Sequence, residues 1–181
     1  MKKYRVAVLL APLLCFTLAC QDKAAMAELK QMKNQADIEK RNEELIRQMF
    51  NELDKANWDS YKGFFAPEFL YYLPSAFGAP TKVEQMVEGV KIYFHAFPDL
   101  VHQIVELISF KDKVILRFIA RGTHKGDLEG LPPTGNAMEV SSIEIFTIKD
   151  GKIIEERQEA DMLGMMTQLG MELKPREAKK K

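Results

Sequence analysis

The chain has 181 residues, of which 46% are hydrophobic and 29% charged, and its 26 basic residues equal its 26 acidic ones in number. This length suits one domain with a core of ordinary size and a short extension. Without an excess of basic residues, the composition argues against a nucleic-acid-binding protein.

The N-terminal stretch has the order of a secretory signal. Three basic residues precede an apolar run over residues 6–18, and small Ala19 stands before Cys20. Such a run is too short for a comfortable membrane span. The ending TLAC resembles a bacterial lipobox, so we expect residues 1–19 to be a lipoprotein signal peptide and Cys20 to carry the lipid. A signal cut elsewhere stays open, because the leucine stands two rather than three places before the cysteine.

Both cysteines of the chain, Cys15 and Cys20, lie at this N-terminal end. The mature domain would then have no internal disulfide, no thiol nucleophile and no sulfur ligand for a metal. Loss of the leader removes three of the 26 basic residues, which leaves 23 against 26 acidic ones, a net charge of about −3. We therefore expect a lipid-anchored protein of the cell envelope. Gln21 after the cysteine favours the outer membrane or the periplasmic face, as is usual for lipoproteins of this kind.

Helical patterns dominate the first half of the remaining chain. Residues 20–36 are rich in helix formers but build no apolar face, which predicts a partly helical tether. From residue 37 onward, apolar residues recur at steps of three and four, which predicts an amphipathic helix ending near Ala56. The further elements predicted in this half are a short helix after Asn57, a strand over 69–73 and a helix over 83–94.

The second half predicts strands. Lys111-Asp112 and Asp150-Gly151 are expected to form turns between them, and an Asp-Gly pair is a strong hairpin signal. The predicted strands cover residues 101–109, 113–123, 137–148 and 152–159. Three N-terminal helices followed by antiparallel strands predict an α+β fold with the helices packed on one face of a curved sheet. The domain should span residues 37–172, with a solvated basic tail over 173–181.

Five short motifs in the second half carry a resemblance to a known family. They are FPDL at 97–100, Arg117 followed by GTHKG at 122–126, GLPPTG at 130–135, DGKI at 150–153, and Asp161 followed by QLG at 168–170. In this order and spacing they resemble the SnoaL-like polyketide cyclase, or ester cyclase, family over roughly residues 40–172. The resemblance implies the nuclear transport factor-like cone. It also implies an intramolecular aldol-type ring closure of a polyketide ester, with no metal and no cofactor.

Asp161 and His124 are the two candidate catalytic residues. The resemblance places the family's acid/base aspartate at Asp161, whose pKa an apolar pocket would raise toward neutrality. The alternative for Asp161 is an N-cap of the helix-like segment that follows. His124 is expected to donate to a developing enolate or to orient a substrate carbonyl, with a loop-holding histidine as the alternative. His95 and His102 are interpreted as helix-end and strand residues without a function.

The last predicted strand is polar on both faces over much of its length. Alternate residues share a face, which puts Arg157 and Asp161 on one side and Glu156 and Gln158 on the other. We interpret Glu155 and Glu159 as residues of a solvated edge strand. Arg157 stands where the family usually has tryptophan, which would change the ligand that fits. The predicted substrate-binding residues are Arg117, Arg157, Tyr72, Phe118, Phe146 and Met162.

Two functions remain open at this point, and so does the question of whether the protein is an enzyme. One is an exported, cofactor-free cyclase or isomerase that uses acid/base chemistry on a small hydrophobic carbonyl or ester compound. The other is a non-catalytic lipoprotein of the cell envelope that binds a small ligand or a partner protein. The expected partners are a small hydrophobic molecule, the membrane through the lipid anchor and, by analogy with similar cones, a second copy of the chain.

Overall fold

The computed structural model describes residues 7–73, 78–172 and 174, and gives the backbone alone for residues 7–22. The Cys20 side chain, at which lipidation is predicted, lies outside the described side chains. Residues 1–6, the start of the predicted leader, lie outside the described residues. The tail predicted over 173–181 also lies outside them, apart from Lys174. Within the described ranges, no helix is both long enough and apolar enough to cross a membrane.

The described part of the chain contains one long helix and three shorter ones. They are α1 (Ala7–Asp54), α2 (Trp58–Lys62), α3 (Val83–Ala96) and α4 (Met162–Gln168). The prediction of three N-terminal helices is not matched, because α1 takes in both the predicted tether and the predicted amphipathic helix in 48 residues. Residues 20–36 contain neither proline nor glycine, so nothing in the sequence ends the helix there.

Five strands form one curved sheet. They are β1 (Phe65–Tyr72), β2 (Val101–Phe110), β3 (Lys113–Thr123), β4 (Ala137–Lys149) and β5 (Lys152–Ala160). The spatial order is β1-β5-β4-β3-β2, with β1 parallel to β5 and every other pair antiparallel. The four predicted strands of the second half are confirmed to within one residue. The interpretation of β5 as an edge strand is wrong, because β1 pairs with its outer side.

Helix α1 is fixed to the sheet by apolar and polar contacts. Its residues Ile46, Met49 and Phe50 are 4% exposed or less and pack against the inner face of the sheet. One turn before Ile46, Asn42 donates from Nδ2 to the Lys111 carbonyl at 3.1 Å. This bond holds the β2–β3 turn, where Lys111 takes a φ of 57°. The C-terminal part of α1 therefore forms one wall of the space above the sheet.

The outer face of the sheet carries exposed isoleucines. Ile108, Ile115 and Ile145 stand side by side in register and are between 37% and 49% exposed. Contiguous apolar surface of this kind is typical of protein interaction sites. The homodimer stays a prediction, and this face is its expected interface.

Candidate active site

A cavity of about 360 Å³ lies between the inner face of the sheet and helices α1 and α3. Its walls are largely apolar and aromatic. Among the lining side chains are Phe50, Tyr93, Phe94, Phe118, Met138 and Met162. A cavity of this size and character suits a small hydrophobic molecule.

Two buried glutamates, Glu144 on β4 and Glu156 on β5, line the cavity and are each 5% exposed. Burial raises the pKa of Glu144 to about 8, against a weaker opposing effect of the hydrogen bond from Gln158. Burial and then the neighbouring charge of Glu144 raise the pKa of Glu156 well above its ordinary value. Near neutral pH the two carboxyl groups are therefore held largely in the protonated form. A protonated carboxyl can donate a hydrogen bond to a ligand oxygen, which a carboxylate cannot do.

A short hydrogen-bonded chain supports one of these glutamates. The Tyr71 hydroxyl donates to Gln158 Oε1, and Gln158 Nε2 donates to Glu144 Oε1 at 2.8 Å. Burial, followed by the charges of Glu156 and Glu144, raises the pKa of Tyr71, so its hydroxyl keeps its proton. These hydrogen bonds hold the Glu144 carboxyl group in place from the β5 and β1 side of the cavity.

Glu156 lacks comparable support. Its Oε2 atom is buried and has no hydrogen-bond partner among the described residues. A buried polar oxygen in this state is rare and costs about 1–3 kcal/mol. Because Glu156 lines the cavity, a ligand with a carbonyl or hydroxyl oxygen is the group that would satisfy it.

The register of the sheet explains why these residues meet. Glu144 pairs with Gln158 and Phe146 pairs with Glu156, so the two glutamates are diagonal neighbours on the inner face. The inner face of β5 thus carries Glu156 and Gln158, the side of the strand to which the sequence assigned no role. A signal was present in β4, where Glu144 stands in an otherwise uncharged series of inward positions.

Two of the six predicted substrate-binding residues line the cavity and four do not. Phe118 and Met162 are among the lining residues. Phe146 is fully buried in the core and is not among them. Arg117 lies between inward-facing Leu116 and Phe118 and so points to the outer face, where its Nε is 3.7 Å from Glu106 Oε2. The expectation that Arg117 reaches the pocket is corrected by this placement.

Arg157 and Tyr72 form a pair outside the cavity. The guanidinium carbon of Arg157 lies 4.1 Å from the centre of the Tyr72 ring, and its Nε donates to Glu155 at 3.0 Å. Tyr71, the preceding residue of β1, is the tyrosine that lines the cavity. The reason is again the alternation of side chains along a strand.

Asp161 caps helix α4. Its Oδ1 accepts a hydrogen bond from the Gly164 backbone N–H at 2.7 Å, and the residue is solvent-exposed. It is not among the lining residues, although Ala160 and Met162 on either side of it are. The N-cap alternative is therefore confirmed, whereas the catalytic role stays a prediction.

His124 holds the glycine- and proline-rich loop. It is fully buried, its Nδ1 accepts from the Thr134 backbone N–H at 3.2 Å, and its ring lies 5.2 Å from that of Phe97. Its backbone N–H also donates to the Asn136 carbonyl at 2.9 Å. The loop-holding alternative is confirmed, and His124 is not among the residues that line the cavity. The structure thus does not bring His124 and Asp161 together there.

The two roles considered for Asp161 predict different responses to substitution. Asp161→Ala removes the cap and is expected to lower the free energy of unfolding by about 1 kcal/mol, measured by urea denaturation. Asp161→Asn keeps a capping oxygen and should stay within roughly 0.5 kcal/mol of the wild type. If Asp161→Asn also abolishes substrate conversion, the aspartate is catalytic as well as a cap; retained conversion leaves it a cap alone.

His102 is a lining residue that the sequence interpretation left without a function. It stands at the start of β2, and its Nδ1 lies 2.6 Å from Oδ1 of Asp54, the last residue of α1. Its side chain is only 10% exposed but faces the cavity. Sequence periodicity places His102 on a strand without indicating that a carboxylate 48 positions earlier meets it.

Comparison with known proteins adds the family context. The model of the SnoaL-like polyketide cyclase family matches residues 44–169. Two similar proteins are the aklanonic acid methyl ester cyclases DauD of Streptomyces sp. (strain C5) and DnrD of Streptomyces peucetius. Each is 29% identical over 133 residues, which cover 70% of this chain and 80% and 89% of the respective relatives. The crystal structure of wild-type IdmH from Streptomyces antibioticus superposes with a TM-score of 0.65 at 25% identity, over 71% of this chain and 97% of IdmH.

Proposed function

Because this chain belongs to the SnoaL-like polyketide cyclase family, we propose that it is a cofactor-free cyclase acting by acid/base chemistry on a small hydrophobic carbonyl or ester compound. The observation that carries the proposal is the pair of buried, protonated glutamates in an apolar cavity. Such groups are well placed to stabilise negative charge that develops on a substrate oxygen.

The chemistry follows from the state of the two carboxyl groups. A substrate carbonyl that enters the cavity finds Glu156 Oε2 without a partner. The protonated carboxyl donates a hydrogen bond to that carbonyl oxygen and strengthens the bond as the oxygen becomes negative in the transition state. The Tyr71–Gln158–Glu144 chain holds the second carboxyl in place, so little reorganisation is needed during the reaction.

The direct test is conversion of aklanonic acid methyl ester, the compound in the names of the two relatives, by the full-length chain. We expect a cyclised product that mass spectrometry cannot distinguish by mass but that chromatography and NMR do. An unchanged ester after prolonged incubation with folded protein would contradict the proposal for this substrate class.

One observation favours a second function, the binding of a ligand without conversion. Asp161, at the position where the resemblance places the acid/base residue, is exposed and engaged as a helix cap. Native mass spectrometry of protein extracted from its own membrane distinguishes the two functions. A small molecule that is retained and never converted supports binding, whereas turnover of the retained molecule supports the cyclase.

Export and membrane attachment through Cys20 are part of the proposal. In support, the described side chains of residues 23–34 are all exposed on a continuous helix, as a spacer between a membrane and the domain would be. Twelve helical residues span about 18 Å. Cys20→Ser is expected to release the protein into the soluble fraction after cell lysis, as seen on an immunoblot of separated membranes. Membrane association that survives this substitution would contradict the lipid anchor.

A further inference from the structure

His102 is held in one orientation inside the cavity. Oδ1 of Asp54 lies 2.6 Å from its Nδ1, and Oδ2 of the same carboxylate accepts from the His102 backbone N–H at 3.4 Å. Three phenylalanine rings surround the imidazole, with centroid distances of 5.6 Å to Phe50, 5.3 Å to Phe118 and 6.2 Å to Phe94. A histidine held in one orientation by a carboxylate and by packing is preorganised to act on a bound ligand.

The carboxylate also sets the tautomer of the neutral ring. A carboxylate only accepts hydrogen bonds, so the proton of a neutral His102 sits on Nδ1 and the lone pair on Nε2. Nε2 has no hydrogen-bond partner among the described residues, and the ring lines the cavity. The free lone pair is therefore the one that a cavity ligand can reach.

The position of Asp54 is costly for the helix that carries it. Asp54 ends α1, where the helix dipole is negative and an acidic side chain is unfavourable. Local rules broken in this way are expected at functional sites. The contact with His102 explains the aspartate at this position, whereas the stability of the helix does not.

The register of the sheet separates His102 from the glutamates. His102 pairs with Ala120 and Ala120 with Val140, so His102 lies two strands from β4, about 10 Å across the sheet. Glu144 stands four residues beyond Val140 on β4, about 13 Å along the strand. The His102 and glutamate side chains therefore approach a ligand in the cavity from different strands of the sheet.

We propose that His102 is the general base of the ring closure and that Asp54 is its positioning residue. This inference rests on the proposed cyclase function. Nε2 removes a proton from an activated carbon between two carbonyl groups, and the electron pair of that C–H bond becomes the enolate. The enolate carbon attacks the second carbonyl carbon, forming the C–C bond, while the glutamate carboxyls donate hydrogen bonds to the oxygen that becomes negative. The alkoxide takes the proton of the glutamate carboxyl that is hydrogen-bonded to it, and exchange through solvent returns the proton on Nε2 to that carboxylate, so no co-reactant is consumed.

The kinetic test uses full-length His102→Gln, Asp54→Asn and, as a matched control, His95→Gln, with aklanonic acid methyl ester as substrate. His95 is solvent-exposed at the end of α3. We expect His102→Gln to lower kcat by about 10²–10⁴-fold with its fold intact by circular dichroism, and His95→Gln to match the wild type. Asp54→Asn presents an N–H to Nδ1, which moves the ring proton to Nε2. The expected loss in kcat is about 10³–10⁴-fold with KM little changed.

A second readout needs no substrate. ¹⁵N NMR of the histidine side chains should show neutral His102 with its proton on Nδ1, and on Nε2 in Asp54→Asn. A purely structural pair would leave kcat unaffected in both variants. Conversion that persists in His102→Gln, or a wild-type proton on Nε2, overturns the role of His102 while the cyclase function stands. No conversion by the wild type overturns the cyclase function and the inference with it.

Discussion

The free energy of unfolding is expected to fall by roughly 3 kcal/mol as the pH rises from about 5 to about 8, because the folded protein keeps protons that the unfolded chain releases. Glutamates in the unfolded chain ionise near pH 4.3, whereas burial raises the pKa of Glu144 to about 8 and that of Glu156 well above its ordinary value. The folded state therefore binds more protons over this interval. Stability is highest below the unfolded pKa and declines until the folded pKa is passed.

Urea denaturation of Glu144→Gln and Glu156→Gln at several pH values measures this effect. Each amide is neutral throughout, so each variant should lose part of the decline and gain stability relative to the wild type at pH 8. Glu139→Gln is the matched control, because Glu139 lies on the same strand with a side chain that is 59% exposed. Parallel stability curves for the wild type and both buried-site variants would show that the glutamates titrate normally.

Conversion of aklanonic acid methyl ester should fall by about 10²–10³-fold in Glu156→Leu and much less, by about tenfold, in Glu156→Gln. A glutamine still presents an N–H donor to the substrate oxygen, whereas a leucine presents none. The leucine variant should fold, since it replaces a buried oxygen without a partner by an apolar group.

The two variants separate the possible roles of Glu156. Equal and complete loss in both would mean that the carboxylate acts as a base. Wild-type rates in both would mean that Glu156 takes no part. Only a larger loss of conversion in Glu156→Leu than in Glu156→Gln supports a role of Glu156 as a protonated hydrogen-bond donor.

The sequence predicted local structure well because its signals are local. Asp150-Gly151 adopts the positive φ angles, 51° and 72°, that a tight hairpin between β4 and β5 needs, and β4 on one side of it alternates between buried and exposed residues. The SnoaL-like family and its α+β cone were also predicted correctly from five motifs. Motif residues such as Asp99 and His124 turn out to hold the loop around β3: Asp99 accepts from the Thr123 backbone N–H at 2.7 Å.

The site was harder to predict because it depends on long-range pairing. The alternation of side chains along β5 defines two faces but does not show which of them faces the cavity. That depends on contacts with distant parts of the chain, such as the pairing of Glu156 with Tyr71 of β1, 85 positions earlier. The sequence alone therefore led to the prediction that Arg157, rather than Glu156, binds the substrate. The contact between Asp54 and His102 is likewise a product of how α1 lies on the sheet.

The central claim is that two protonated carboxyl groups face the cavity, and ¹³C NMR of the glutamate side-chain carboxyl carbons tests it most directly. At pH 7 we expect two carboxyl resonances at the chemical shift of a protonated acid, one lost in Glu144→Gln and the other in Glu156→Gln. Both should move when 2-naphthol, a mimic of an enol oxygen on an aromatic ring, is added. A spectrum in which every glutamate carboxyl is ionised at pH 7, with none responding to 2-naphthol, would contradict the account.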